Sequence, residues 1–161
     1  MKAFAPIDDP KGFRTALSRF ATGVTIVTAL EKDGRPIGMT ANSFASLSLD
    51  PALVLWSPAK QSARHDAFVA AKAFNIHVLA ADQQAICDTF TKNKYGFSGH
   101  STQINQDGVP IIAGCLAVFE CHQFACHDAG DHTLILGKVI NCRAKTGTPL
   151  LFLNGQFETT D

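Results

Sequence analysis

Two short segments of the sequence hold small and polar residues in a pattern that suits a flat ligand carrying a phosphate group. The first, residues 38–44 (GMTANSF), interrupts an apolar strand with Thr40, Ala41, Asn42 and Ser43. Backbone N–H and C=O groups then lie beside side-chain donors and acceptors, so a planar heterocycle could pair with this edge. The same residue types are also typical of a β-bulge or a tight strand crossing. The residues alone leave both interpretations open.

The second segment, residues 57–64 (SPAKQSAR), follows a predicted strand and opens a predicted helix over 63–71 with Ser62 as its cap. A helix N-terminus presents unpaired N–H groups and the positive end of the helix dipole, and both favour phosphate. Lys60 and Arg64 add two cations. An ordinary capped surface helix has the same pattern. Taken together with residues 38–44, the phosphate interpretation is favoured.

His132 and the stretch 121–127, which holds two cysteines and two histidines, are the other parts of the sequence whose side chains could bind a ligand or a metal. His132 precedes the apolar strand TLILGKV, where it could face a pocket or lie in a surface turn. Zinc ligands are conceivable in the stretch 121–127. However, Cys121 and His122 are adjacent, and neighbouring residues of a strand point to opposite faces, so four ligands could not converge tetrahedrally. We therefore expect no metal site from Cys121, His122, Cys126 and His127.

The elements that must position these residues are mainly strands. Asp9 and Pro10 predict a helix start, and apolar residues at helical spacing continue it to Phe20. Residues 24–41 predict a hairpin, and residues 83–92 a second amphipathic helix before a polar loop over 93–110. The remaining predicted strands are 44–49, 52–57, 74–79, 111–124, 133–142 and 150–153. Such a series predicts one mainly β domain, residues 1–161, closed as an antiparallel barrel.

Composition narrows the function further. The chain has 161 residues, 14 Lys+Arg against 14 Asp+Glu, and five cysteines. Zero net charge disfavours a dedicated nucleic-acid binder, and no segment reaches the ~18 apolar residues of a membrane span. The N-terminus lacks the apolar core of a signal peptide, so we expect a cytoplasmic protein with reduced thiols. The Rossmann fingerprint, the P-loop and the GxSxG elbow are absent from the sequence.

Six motifs in order resemble the short-chain flavin reductases, the reductase components of two-component flavin-dependent monooxygenases. The match runs along nearly the whole chain, and each motif alone is modest. The motifs are FRTALSRFATGVTIVT (13–28), GMTANSFASLSLDPALVLWS (38–57), FNIHVLAADQQ (74–84), GVPIIAGCLAVFEC (108–121), GDHTLILGKV (130–139) and PLLFLNGQF (149–157).

The resemblance implies a fold and a set of site residues. The fold is a homodimer of six-stranded antiparallel split β-barrels (Greek key) with short helices in the connections, and flavin bound at or near the subunit interface. Thr40, Ala41, Asn42 and Ser43 would line the isoalloxazine and ribityl chain, with Phe90 as a further flavin neighbour. Ser57, Lys60, Ser62, Ala63 and Arg64 would hold the phosphate.

The resemblance also implies a nicotinamide pocket. His132 would stand beside it, with a positioning or electrostatic role, and Phe157 would flank it. Two positions depart from the family pattern: Arg64 stands where a threonine is frequent, and Phe157 stands where a tyrosine is frequent.

The implied activity is hydride transfer from nicotinamide C4 to flavin N5, with the reduced flavin passed to a partner monooxygenase. That transfer needs no enzymic acid or base, because the cofactors carry the chemistry. FMN and FAD stay open as the flavin, and NADH and NADPH as the hydride donor. Two alternatives keep the same fold: a reductase of a ferric chelate or corrinoid with tightly held flavin, and a non-catalytic flavin- or haem-binding protein.

Overall fold

The computed structural model describes residues 3–159. Within them, the helices are α1 (Pro10–Ser18), α2 (His65–Ala70) and α3 (Gln84–Lys92), and a 3-10 turn (Ala81–Gln83) leads into α3. The strands are β1 (Thr22–Gly23), β2 (Thr25–Leu30), β3 (Pro36–Ala41), β4 (Ala45–Leu49), β5 (Ala52–Trp56), β6 (Ala73–Val78), β7 (Thr102–Ile104), β8 (Pro110–Ile112), β9 (Ala117–Ala129), β10 (His132–Ala144), β11 (Leu150–Leu153) and β12 (Gln156–Thr159).

The main sheet is antiparallel and has seven strands in the order β3-β2-β6-β9-β10-β5-β4. The six strands implied by the resemblance are therefore one too few. β4 is the outermost strand on one side and pairs with β5 through an irregular register between Ser46 and Ser48. A three-stranded sheet, β1-β11-β12, and the β7-β8 pair lie outside the main sheet. The prediction of a mainly β chain with short connecting helices is confirmed.

Two clusters of buried residues form the core. The first fills the main sheet's interior around Trp56, whose ring centroid lies 5.1 Å from that of Phe68 and 6.1 Å from that of Phe74. The second lies beneath α3 and joins Cys87 and Phe90 to strands of all three sheets. Burial of such large apolar side chains is the main favourable term in folding. The second cluster also fixes α3 beside β3, where the site forms.

Local signals explain the predicted elements that formed. The Asp9 side chain accepts a hydrogen bond from the Gly12 N–H at 2.8 Å, and Pro10 occupies the first turn of α1, as predicted. The hairpin predicted over 24–41 is confirmed as β2 and β3, paired in register from Thr25 with Ala41 to Leu30 with Pro36. Cys121 is buried and His122 is exposed on β9, so the two neighbours do point to opposite faces.

Three predicted elements differ from the structure. The helix predicted over 63–71 begins only at His65, and Arg64 rather than Ser62 precedes it without a side-chain cap. The strand predicted over 111–124 is split into β8 and β9, because the chain turns at Gly114 with a φ of 81°. The predicted loop over 93–110 contains β7. No helix within residues 3–159 has the length and apolar character needed to cross a membrane.

A buried histidine makes the fold sensitive to acid. His77 is 0% exposed, its Nδ1 lies 2.9 Å from the Ile26 carbonyl, and its Nε2 accepts a hydrogen bond from the Ile112 N–H at 3.1 Å. Burial lowers the pKa of His77 to about 4. As the pH falls below the pKa of an unfolded histidine, about 6.5, the unfolded chain binds a proton that the folded chain refuses. The stability that His77 contributes is therefore present above pH 6.5 and lost as the pH approaches 4.

We expect the free energy of unfolding to fall by about 2 kcal/mol between pH 7 and pH 5 through this residue alone. Urea unfolding at both pH values measures it, with His77→Gln as the comparison. Glutamine can keep a donor and an acceptor but has no proton to gain, so the variant should lose that part of the pH dependence. An identical pH dependence in both proteins would contradict the assignment.

Candidate active site

A cavity of about 610 Å³ opens between the end of β3, the turn before α2, helix α3 and the β11-β12 hairpin. We call it the main cavity. Its polar wall consists of Thr40, Asn42, Ser62, Arg64 and Thr91, and its apolar wall of Val24, Met39, Ala41, Ala63, Cys87, Phe152 and Phe157. The segments around 40–42 and 62–64, which are about twenty residues apart in sequence, thus meet at one cavity. A cavity of this size with an apolar wall and a few polar groups is typical of a small-molecule site.

Hydrogen bonds fasten the β3 side of the main cavity to its neighbours. The Thr40 hydroxyl donates to the Cys87 carbonyl at 3.0 Å, and the Thr91 hydroxyl donates to the same carbonyl at 2.9 Å. The Thr25 hydroxyl donates to the Ala41 carbonyl at 2.6 Å. The Thr40 bond holds β3 against α3 and the Thr25 bond holds β3 against β2, whereas the Thr91 bond lies within α3. The chain at Thr40 and Ala41, which forms one wall of the cavity, is therefore held on both sides.

Arg64 ties the turn before α2 to the far end of α3. Its guanidinium donates to the carbonyls of Phe90 and Thr91 in the last turn of that helix, and more weakly to the Gly38 carbonyl at 3.4 Å. A cation at a helix C-terminus is stabilised by unpaired carbonyls and by the helix dipole. Partial burial lowers the pKa of Arg64, although a guanidinium stays charged at neutral pH. Its five N–H donors exceed these three acceptors, so it can also bind an anion in the main cavity.

Two predicted contacts, Ser43 and Ser57, lie outside the main cavity. The Ser57 N–H donates to the Ser43 hydroxyl oxygen at 2.9 Å, and that hydroxyl donates back to the Ser57 carbonyl at 3.2 Å. The pair joins the segment between β3 and β4 to the end of β5. The two serines brace the cavity wall rather than line it.

Lys60, predicted to hold the phosphate, also lies outside the main cavity. Its ammonium forms an ion pair with Asp128 and donates to the Gly130 carbonyl at 2.6 Å. The same interaction lowers the pKa of Asp128. The Lys60 ammonium therefore lies at the β9-β10 turn, where it pairs with a carboxylate. The sequence alone does not show that Asp128 lies next to Lys60.

Phe90, predicted as a flavin neighbour, does not line the main cavity. The ring is 0% exposed and packs edge-to-face on Phe97, with a centroid distance of 4.9 Å. Its side chain belongs to the core cluster beneath α3. Phe90 contributes instead through its carbonyl, which accepts the Arg64 hydrogen bond.

His132 stands beside the turn before α2 but does not line the main cavity. Its Nδ1 lies 2.7 Å from an Asp131 carboxylate oxygen, and the interaction lowers the pKa of Asp131. His132 pairs with Ala59 in a single β-bridge, and the Thr133 N–H donates to the Pro58 carbonyl at 3.1 Å. Residues 58–60 are thereby held against the first residues of β10.

Five residues that line the cavity were not predicted from the sequence, although the sequence contains features that point to three of them. Cys87 and Thr91 are one helical turn apart, on the α3 face that packs towards β3, and Phe152 belongs to the same motif as Phe157. The other two are Met39, next to the predicted Thr40, and Val24, just before β2, and neither side chain has a chemical signal of its own. Their roles depend on the curvature of the sheet, which local patterns do not give.

The donor set of the main cavity fits a flavin mononucleotide. Phe152 and Phe157, whose ring centroids lie 5.5 Å apart, offer apolar surface to an aromatic ring system. Asn42 adds amide donors and an acceptor for the polar edge of that system. Ser62 and Arg64 offer a hydroxyl and a cation at one end, the chemistry that a phosphate requires.

Comparisons with known proteins agree with this geometry. The family model described as "Flavin reductase like domain" matches residues 17–161. The chain is 55% identical over 150 residues to "FMN reductase (NADH) SmoA" of Agrobacterium fabrum, covering 93% of this chain and 86% of the relative. It is 40% identical to "Flavin-dependent monooxygenase, reductase subunit HsaB" of Rhodococcus jostii, over 92% of this chain and 77% of the relative.

A solved structure is similar over almost the same length. The "NADH:FAD oxidoreductase SgcE6" of Streptomyces globisporus, determined "in complex with NAD and FAD fragments", superposes with a TM-score of 0.90 at 34% identity. The match covers 98% of this chain and 96% of that chain.

Proposed function

Because the chain belongs to the flavin reductase-like domain family, we propose that it reduces a flavin with NADH and supplies the reduced flavin to a partner monooxygenase. Relatives named as an NADH-dependent FMN reductase and as a monooxygenase reductase subunit support this activity. The observation that carries it in this chain is the convergence of residues 40–42 and 62–64 on one cavity of flavin size.

Each wall of the main cavity has its own task in this proposal. Asn42 and the β3 backbone orient the polar edge of the ring system, and Phe152 and Phe157 exclude water from its apolar part. Ser62 and Arg64 hold the phosphate. When bound, the flavin supplies the hydride acceptor, so the protein needs only to bind and align the two cofactors.

Residues outside the main cavity act indirectly. Ser43, Ser57 and Lys60 support the walls through the contacts described above. We place His132 beside the nicotinamide, with an electrostatic or positioning role, together with Phe157 from the wall of the main cavity. The β-bridge between His132 and Ala59 supports that placement, because it fixes His132 beside the segment that leads into residues 62–64 of the main cavity.

The direct test is NADH consumption that depends on added flavin. We expect purified protein to oxidise NADH, followed at 340 nm, only when FMN or FAD is present. The comparison of FMN with FAD and of NADH with NADPH identifies the preferred pair; similarity to a relative named as an NADH-dependent FMN reductase favours FMN with NADH. Unchanged NADH absorbance with excess flavin would contradict the proposal.

We also propose that the main sheet curls into a split barrel within a single domain. Strands from distant positions in the sheet order, β3 and β5, both contribute to the core cluster around Trp56, through Ile37 and Val54. A flat sheet could not bring them together. The five free cysteine thiols suit the reducing cytoplasm, where we place the protein.

A homodimer is the proposed assembly, and α1 supports it. No residue of α1 is buried, while Phe13 and Leu17 are 44% and 59% exposed and Phe20, just beyond the helix, is 79% exposed. An apolar face left open to water is typical of an interaction surface. Sedimentation velocity should therefore give twice the chain mass, and Leu17→Glu should shift the protein towards monomer.

A further inference from the structure

Two consecutive side chains anchor the phosphate-binding turn, residues 62–64, to different parts of the fold. Arg64 reaches the C-terminus of α3, as described above. The next residue, His65, points to β10, where its Nε2 lies 2.8 Å from the Thr133 hydroxyl oxygen. The turn itself is closed by the His65 N–H, which donates to the Ser62 carbonyl at 3.0 Å. The position of Ser62 and Arg64 at the main cavity therefore depends on both anchors.

The His65 contact is well defined. Its side chain is 14% exposed, and its Nδ1 lies 2.8 Å from an Asp66 carboxylate oxygen. A carboxylate accepts only, so Nδ1 carries the proton, and in the neutral ring Nε2 then accepts from the Thr133 hydroxyl. Thr133 is 9% exposed and is fixed in turn by its own N–H bond to the Pro58 carbonyl. Because each partner is held by a further bond, the contact fixes the position of His65 relative to β10.

We propose that His65 and Thr133 act as positioning residues for flavin binding, holding the turn 62–64 where it meets the ligand's phosphate. The inference rests on the proposed function and assigns to His65 a role that touches no cofactor. Loss of the contact should let the turn relax towards α3, to which Arg64 still binds it. The ring-binding walls at β3 and the β11-β12 hairpin do not depend on it.

The experiment is a pair of fluorescence titrations, one with FMN and one with riboflavin, which has the same ring system without the phosphate. His65→Ala should weaken FMN binding about fivefold, the loss expected for one positioning hydrogen bond. Riboflavin binding should change by less than about twofold, because riboflavin lacks the phosphate that the hydrogen bond helps to place. Thr133→Val, which keeps the side-chain volume, should reproduce both results.

Further variants separate positioning from general damage. The double variant His65→Ala/Thr133→Val should bind FMN no more weakly than either single variant, since both remove the same contact. Thr133→Ser and His65→Gln, which keep a hydrogen-bonding group, should bind FMN about as tightly as the unaltered protein. His122→Ala is the matched control, because His122 also pairs with an aspartate, Asp107, but on the outer face of β9. It should bind FMN as the unaltered protein does.

Equal weakening of FMN and riboflavin, unchanged FMN binding in both single variants, or multiplied effects in the double variant would each overturn the proposal. The titration needs no turnover. If the unaltered protein binds FMN but fails to oxidise NADH, the proposed function is overturned, and the titrations still decide the role of His65.

Discussion

Gly38→Ala is expected to lower the free energy of unfolding by about 3 kcal/mol, because the added methyl group overpacks a closed core. A Cβ at Gly38 would lie 2.3 Å from Cε1 and 2.4 Å from Cδ1 of the Phe90 ring. That ring is fully buried and packs on Phe97, so it cannot move away. Relief would require β3 to separate from α3, which the Thr40 hydrogen bond to Cys87 opposes.

Urea unfolding measures this loss, and two further variants define its cause. Gly23→Ala is the matched control, since a Cβ at Gly23 meets nothing within 4 Å. Combining Gly38→Ala with Phe90→Leu should cost less than the sum of the two single changes, because the smaller side chain makes room for the methyl group. Additive losses would show that the contact with Phe90 is not the cause.

Ala63→Trp is expected to weaken FMN binding at least tenfold, about 1.4 kcal/mol or more, while the protein stays folded. Ala63 is exposed at the wall of the main cavity, between Ser62 and Arg64, so an indole there takes space from the ligand and not from the core. The KM for FMN in NADH oxidation should rise in parallel. The melting temperature should change little, as for most exposed positions.

Ala85→Trp provides the control for that substitution. Ala85 is an exposed residue of α3 that does not line the main cavity. An indole at this position adds the same surface and fluorescence without obstructing the ligand, so FMN binding should be unchanged. Equal FMN affinity in the Ala63→Trp variant and the unaltered protein would mean that flavin binds elsewhere.

The sequence predicted the site residues that lie where a strand or helix begins or ends. Thr40, Ala41 and Asn42 were predicted as one wall and Ser62 and Arg64 as part of another, and the structure brings them together at the main cavity. These residues lie at the ends of short elements, where composition changes abruptly from apolar to polar. The series of predicted strands was sufficient to predict a mainly β fold.

The sequence did not predict the contacts of side chains whose partners are distant in the chain. Lys60 was predicted to meet phosphate, and in the structure its ammonium contacts Asp128 and Gly130, about seventy residues away. The family resemblance implied Phe90 as a flavin neighbour; its helix α3 does reach the main cavity, and the Phe90 side chain packs in the core. Such contacts depend on sheet order and register, which no local pattern encodes.

One missed element did have a local signal. The dipeptide Asn154-Gly155 stands between two short strands, with φ values of 53° and 80°, and this is the residue pair that a two-residue hairpin turn requires. It creates β12 and so places Phe157 opposite Phe152. The predicted strand over 150–153 was confirmed, but its partner was not foreseen.

Hydrogen exchange measured with and without FMN tests the central claim most directly, because it locates the ligand on the chain. We expect FMN to slow exchange in peptides covering 38–44, 60–66 and 150–158, the segments that surround the main cavity. Peptides covering 102–109 and 138–143, which border a separate cavity of about 510 Å³, should exchange as before. Protection confined to that second region, or none at saturating FMN, would contradict the account.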